Sequence, residues 1–374
     1  MKFITINIYS VANLYPCFFC LFFFIRTKIE ETYLNIDDQF FFSFIIYFSE
    51  TLSIFGYCIL IFNTKTEKKN DKNEENEKTN IIEANRVSFL IQSNIYNNNT
   101  IKLLFQILFV TLLDLGVSIF LSFPFKNNCS LNHFIRPFQL IINTILCFYF
   151  LKLKIYIHQI LSILIIIISG FFLYFGEFQK DKSKCYQEEF FLKYFIGFIL
   201  SGFLDITEKK ILNYISPYLL LFLKGFMGMI INLIIIFLMG QNFSLFILNV
   251  TDKFKNILYI PFILSSTFFN IFFELTLEYL TPTHTCIGDI LFSILYFIWS
   301  FHQTKILILS IIGYILLFFA CVLFNEFIIL NFCGLNENTK FEIDKRTKVD
   351  KNFTISKSNS DSLDDEFVDI NNLY

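Results

Sequence analysis

Ten stretches of this chain are each apolar over about the length needed to cross a bilayer, roughly 20 residues. That feature constrains the fold more than any motif. The stretches cover residues 3–25, 39–63, 101–123, 134–152, 156–176, 189–207, 217–239, 256–280, 283–301 and 305–330. Hydrophobic residues make up 55% of the 374 positions and charged ones only 17%, more apolar surface than one soluble core could hide. A soluble enzyme and a disordered protein are therefore excluded for most of the chain. With a net charge of -2 there is no electrostatic case for nucleic acid as a partner. The 54 Phe residues, beside many Ile, Asn and Lys, follow the codon bias of an A+T-rich genome, so single Phe positions carry little meaning.

The expected fold is an all-α membrane protein of ten transmembrane helices in two inverted five-helix repeats. Helices 1–2 occupy residues 1–63, and a charged, Asn-rich cytosolic linker, disordered by composition, occupies 64–100. Helices 3–5 follow over 101–176, the second five-helix repeat (helices 6–10) over 177–333, and an acidic disordered cytosolic tail over 334–374. Basic residues near the helix ends favour both termini in the cytosol, mostly through the two long polar segments. Glycosylation sequons at Asn128, Asn242 and Asn249 fall outside in that topology, while those at Asn98 and Asn352 fall inside.

The repeat is read from one register. A shift of 151 residues places His133 on His284, Phe150 on Phe301, Lys154 on Lys305, and Ile155, Ile157 and Ile160 on Ile306, Ile308 and Ile311. Helices 4–5 then correspond to helices 9–10. Five helices is an odd number, so the halves run in opposite directions through the membrane, a construction common in secondary transporters.

Seven helices carry polar residues at helical spacing. They are Ser43, Tyr47, Glu50 and Tyr57; Thr111, Asp114, Ser118 and Ser122; Arg136, Gln139, Asn143 and Cys147; Ser201, Asp205 and Glu208; Lys224, Gly228 and Asn232; Ser266, Asn270, Glu274 and Glu278; and Thr285, Asp289, Ser293, Tyr296 and Ser300. Each set shares one helix face. Hydroxyls alone would serve as interhelical packing. A charge at mid-bilayer costs about 2.5–3.5 kcal/mol on insertion scales and needs a partner or water. Glu50, Asp114 and Lys224 lie deep in their helices. Asp205, Glu208, Glu274 and Glu278 lie nearer helix ends, where solvation beside Lys209 and Lys210 is the simpler reading. The expected pairs are Lys224 with Glu50 or Asp114, and Arg136 with Asp114 or Asp289. Gly225, Gly228 and Pro282 offer conformational freedom.

Cys17 and Cys20 form a CxxC inside an apolar run, without a second pair or a histidine, and read as helix-wall thiols. The four histidines lie at helix ends without metal-ligand spacing. No phosphate loop, nucleophile elbow or kinase signature is present, so no metal or cofactor is expected.

The chain resembles the drug/metabolite transporter superfamily, and most closely solute carrier family 35 in its F subfamily. The resemblance covers roughly residues 5–330. Phe48-Ser49-Glu50 is similar to a Phe-Gly-Glu, Asp114 to a helix 3 aspartate, and His133-Phe134-Ile135-Arg136 to a Met-Leu-Arg-Gly with Pro137 in place of glycine. Glu208-Lys209-Lys210 with Ile215-Ser216-Pro217, Asp289, and Asn325-Glu326 match further motifs. Lys224-Gly225 stands where the family has Glu-Gly, reversing a charge. Thr285 and Phe292 stand where arginines flank the helix 9 aspartate.

The resemblance implies a ten-helix carrier of nucleotide sugars or other small metabolites in Golgi, endosomal or other endomembranes. The expectation is an alternating-access transporter, not an enzyme, of a small polar, possibly anionic metabolite. Its candidate site residues are Glu50, Tyr57, Asp114, Arg136, Asn143, Lys224, Asn232, Asp289 and Tyr296. Its partners would be the small-molecule substrate, the lipid bilayer and, at most, a second copy in a homodimer. The alternative is a membrane scaffold or receptor that kept the fold and lost transport. A membrane-embedded enzyme is the weakest reading.

Overall fold

A backbone surrounded by lipid must satisfy its own hydrogen bonds, and a helix does so within one segment. The computed structural model describes residues 4–6, 14–30, 39–70, 98–125, 131–153, 155–180, 188–238, 256–300, 308–326 and 328–330. Among these the chain is almost entirely helical. The helices are α1 (Tyr15–Ile29), α2 (Gln39–Thr51), α3 (Ser53–Asn70), α4 (Asn98–Phe125), α5 (Leu131–Leu151) and α6 (Ile157–Lys180), followed by α7 (Glu188–Ile211), α8 (Pro217–Leu238), α9 (Tyr259–Tyr279), α10 (Pro282–Ser300) and α11 (Ile308–Phe324). Two short strands, β1 (Ile4–Ile6) and β2 (Ile328–Leu330), pair antiparallel, with Ile4 opposite Leu330.

Among the described residues five spans are long and apolar enough to cross a membrane: Phe41–Phe62, Ile101–Leu121, Ile157–Gly176, Pro217–Leu238 and Tyr259–Tyr279. Phe138–Leu151 and Ile308–Phe324 are shorter apolar helices. Apolar side chains face outward. On α6, Ile157, Ile160, Leu164, Ile168, Phe171 and Phe175 form an exposed stripe at helical spacing, while Ser162 and Ser169 are fully buried. This inside-out arrangement suits lipid rather than water.

Several boundaries differ from the sequence reading. The first helix begins at Tyr15 rather than residue 3, with Pro16 in its opening turn, where a missing N–H costs nothing. Residues 4–6 are strand instead. α3 continues to Asn70 and α4 starts at Asn98, so both reach into the stretch assigned to a linker. Lys and Glu in that stretch are good helix formers and extend a helix already nucleated. Residues 71–97 and the tail after Leu330 lie outside the described residues.

Apolar clusters knit the described helices together. One joins α5, α6, α10 and α11 around Leu140, Ile166, Ile287 and Leu317. A second joins α4, α7, α8 and α9 around Ile107, Leu204, Leu220 and Leu277. A third joins α2, α8 and α9 around Ile45, Ile236 and Phe262. The principal helix pairs are α1–α9, α1–α10, α2–α8, α2–α9, α4–α7, α4–α8, α5–α7, α5–α10, α5–α6, α6–α11 and α10–α11.

The α7–α8 and α9–α10 connections are short, and Pro217 and Pro282 open the following helices. Thr281 Oγ1 lies 2.7 Å from His284 Nδ1 at the second of these turns. His158, at the start of α6, sits 3.2 Å from Glu326 just past α11. Glu326 adopts the left-handed conformation (φ 58) that commonly ends a helix. The histidines at 158 and 284 are thus helix-end residues, as the sequence suggested.

Candidate functional site: a buried ion cluster

The second apolar span is not one continuous helix. It breaks at Leu52, where Leu52 N–H bonds back only three residues to Ser49 O (3.3 Å) and Phe55 N–H to Leu52 O (3.1 Å). Neighbouring hydroxyls supply further bonds. Thr267 Oγ1 on α9 donates to Ser49 O (2.9 Å), and Ser53 Oγ donates to Tyr218 O on α8 (2.8 Å). Non-helical backbone within a membrane survives only where protein or water satisfies it, and it often marks a binding site. Glu50 lies immediately before this break.

Glycines bring α8 against α2 at the same level. A Cβ on Gly225 would lie 2.6 Å from Tyr47 O and 2.7 Å from Glu50 Cβ, and one on Gly228 would meet the Tyr47 ring at 2.4 Å. These glycines allow close approach of two helices. The sequence reading of them as sources of conformational freedom gives way to a packing role. The approach places Lys224 among carboxylates.

The Lys224 ammonium lies 3.0 Å from Glu208 Oε1 on α7, 3.6 Å from Glu50 Oε1 on α2 and 3.6 Å from Glu274 Oε1 on α9. The Asn270 amide donates to Glu50 Oε1 at 3.3 Å. Glu208 and Glu274 are 0% exposed, Glu50 3% and Lys224 5%. Asp114 on α4, half-buried, is an electrostatic neighbour of Tyr47, Glu50, Glu208 and Lys224. Three helices therefore present carboxylates to one amine on a fourth.

No protein-family model matches the chain, and no curated protein matches it. The chemistry must be read from the side chains.

A second polar group adjoins the first. Asp205, one turn before Glu208 on α7, accepts hydrogen bonds from the Asn143 amide (2.9 Å) and the Thr285 hydroxyl (3.1 Å). Asn143 also donates to Cys286 Sγ (3.0 Å). Asp289, one turn beyond Thr285 on α10, is an electrostatic neighbour of Asp205. Gln139 donates to Ser201 Oγ at 3.2 Å one turn away on the same two helices. Asp205 and Asn143 are buried as deeply as the ion cluster.

Of the residues singled out from sequence, Glu50 and Lys224 meet directly. Asp114 stands beside them, and Asn143 and Asp289 belong to the Asp205 group. Asn232 is fully buried on the Lys224 face of α8, about two turns away. Tyr57 lies past the break on α3, half-buried, and no polar contact among the described residues joins it to the cluster. Tyr296 is elsewhere, its ring 4.1 Å from the Lys28 ammonium. Arg136 belongs to α5, but its side chain lies outside the described residues.

The residues missed as site members are Asp205, Glu208, Asn270 and Glu274. All stand in polar stripes at spacings of three or four, and their nearness to helix ends led to the solvated reading. That reading fails for Asp205, Glu208 and Glu274, which are at most 2% exposed. Lys209 caps the neighbouring helix end. Its ammonium donates to Leu277 O (2.5 Å), Glu278 O (2.7 Å) and Leu280 O (3.0 Å), satisfying carbonyls left over at the end of α9. Lys210 is exposed. Among the described residues no cluster of His, Cys, Asp or Glu has the arrangement of a metal site.

Proposed function

We propose that this chain is a secondary transporter working by alternating access, with the Lys224 cluster as its central solute or ion site. The observation that carries the reading is the meeting of Glu50, Glu208, Lys224 and Glu274 from four helices inside an apolar bundle. Intramembrane ionisable residues are costly and are retained mainly where they bind or move charge.

The ten-span inverted repeat draws support from the packing. With α2 and α3 counted as one broken segment, the described helices make ten segments in order. Advancing every segment by five places turns the α1–α9 pair into α7–α4, α1–α10 into α7–α5, α2–α9 into α8–α4, and α5–α6 into α10–α11. The pairs α2–α8, α5–α10 and α6–α11 map onto themselves. The pairing of β1 with β2 fits an even number of crossings, because the strand before α1 and the strand after α11 share one side. The halves would rock about the site at the α2 break. This arrangement, with the motif resemblance to the drug/metabolite transporter superfamily, supports a carrier in an endomembrane with both termini cytosolic.

For the substrate, the described cluster favours a cation over an anion: Lys224 already faces three carboxyl groups, which an anion such as a nucleotide sugar would have to displace. A neutral or cationic polar solute fits better. One observation favours the scaffold alternative: Phe19, Phe23, Phe269 and Phe292 stack with centroids 4.1–4.9 Å apart along α1, α9 and α10.

Solute uptake by proteoliposomes separates the two. Glu50→Gln and Glu274→Gln should each lower flux at least roughly ten-fold, about 1.4 kcal/mol. Flux indifferent to both would remove the site, and no flux of any solute by the unaltered protein would favour the scaffold.

A further inference from the structure

The described cluster does not balance its charge. Three carboxylates face one ammonium, with Asp114 adding a fourth acid at its edge. Only the Glu208 contact, at 3.0 Å, is a hydrogen bond; the contacts to Glu50 and Glu274 are 3.6 Å. Among the described residues neither Glu274 oxygen has a hydrogen-bond partner, nor does Glu50 Oε2 or Glu208 Oε2, and all four atoms are buried. A buried polar group normally finds a partner, and a buried charge normally finds a counter-charge. Three carboxyl oxygens from three helices thus lie within 3.6 Å of one flexible side chain, and each of these carboxyl groups keeps at least one further buried acceptor.

An ammonium is a compact cation with three donors on a flexible four-carbon stem. What satisfies the carboxylates here is the tethered equivalent of a protonated amine. We infer that Glu50, Glu208 and Glu274 form a seat for a protonated amine, that Lys224 is its built-in occupant in this conformation, and that the solute is an organic cation bearing N–H donors. That such a cation is carried, rather than only bound, rests on the transporter reading above. In the exchange, the incoming ammonium takes the seat near Glu274 and the Lys224 side chain withdraws along α8. No bond is made or broken and the count of charges in the site is preserved. Lys224 thereby keeps the emptied site from standing as uncompensated acids in lipid.

The test uses the full chain in nanodiscs, with methylammonium as the probe. Lys224→Ala vacates the seat, and added methylammonium should occupy it. Thermal stabilisation by methylammonium is expected to reach half-maximum at roughly ten-fold or lower concentration in Lys224→Ala than in the unaltered protein. Tetramethylammonium, which lacks N–H donors, and sodium chloride at equal ionic strength should not reproduce it. Glu274→Gln on the Lys224→Ala background should weaken the response. Equal responses with and without Lys224, or tetramethylammonium as effective as methylammonium, would overturn the seat. If Lys224→Ala does not fold, Lys224→Ala combined with Glu208→Gln removes one charge of each sign and takes the same comparison. Methylammonium flux into proteoliposomes separates the two readings. Binding without flux leaves the seat and removes the carrier. Flux without any rescue of Lys224→Ala leaves the carrier and removes the seat.

Discussion

Lys224 Nζ lies 3.0 Å from Glu208 Oε1 across the short turn joining α7 to α8. Both side chains are buried, so neither partner can turn to water when the other is removed. Breaking such a pair by deleting one side leaves an uncompensated charge and costs about 3–5 kcal/mol. Lys224→Ala should therefore lower the melting temperature of the detergent-solubilised protein sharply. Lys224→Ala with Glu208→Gln should recover part of the loss. A single substitution with no thermal effect would contradict the pairing.

Gly225 tests the helix contact rather than the charge. Its missing Cβ would lie 2.6 Å from the Tyr47 carbonyl, a backbone atom that cannot swing aside. Gly225→Ala should push α8 off α2, at a cost of about 1–3 kcal/mol by overpacking. Gly116 on α4 is the control. A Cβ there meets only Leu200 Cδ1 at 3.8 Å, ordinary contact distance, so Gly116→Ala should be neutral or gain up to about 1 kcal/mol in helix propensity. Thermal unfolding of the two variants side by side decides the point.

The polar periodicity made much of this legible in the sequence. Lys224 and Glu50 were paired by their depth in apolar spans, and they meet. The same reading sets Glu208 and Glu274 aside because nearness to a helix end reads as exposure. Depth in sequence is not depth in the bundle: α7 and α9 each end in a tight connection, and the end of α9 is covered by Lys209. The break at Leu52 left no Pro or Gly at that position. It depends on Thr267 and Tyr218, more than 160 residues away. Tyr57 was placed on the Glu50 stripe by assuming an unbroken helix, and the break after Glu50 removes that register.

Lys209 gives a separate prediction. It bonds three carbonyls at the α9 terminus. Lys209→Met keeps most of the apolar stem and removes the donors. The loss should be about 1.5 kcal/mol, since the side chain is only half-buried and water replaces some of the bonds. Hydrogen exchange at the last turn of α9 should rise while exchange in α6 and α11 stays unchanged. Uniform destabilisation of all helices would argue against a local cap.

Asp205 separates charge from hydrogen bonding. Its carboxylate is held by two neutral donors, Asn143 and Thr285. Asp205→Asn removes a buried acid that is an electrostatic neighbour of Glu208 and Asp289, while its amide oxygen still accepts from the same donors. Burying a charge costs far more than burying a paired amide, so stability should be unchanged or improved. Asp205→Ala instead strands the Asn143 amide and the Thr285 hydroxyl, each at about 1–3 kcal/mol. Paired melting curves should thus fall in the order Asp205→Asn at or above the unaltered protein, and Asp205→Ala well below it. If Asn proved as damaging as Ala, the negative charge itself would be needed at this position, and an unseen cation beside it would become the simplest explanation.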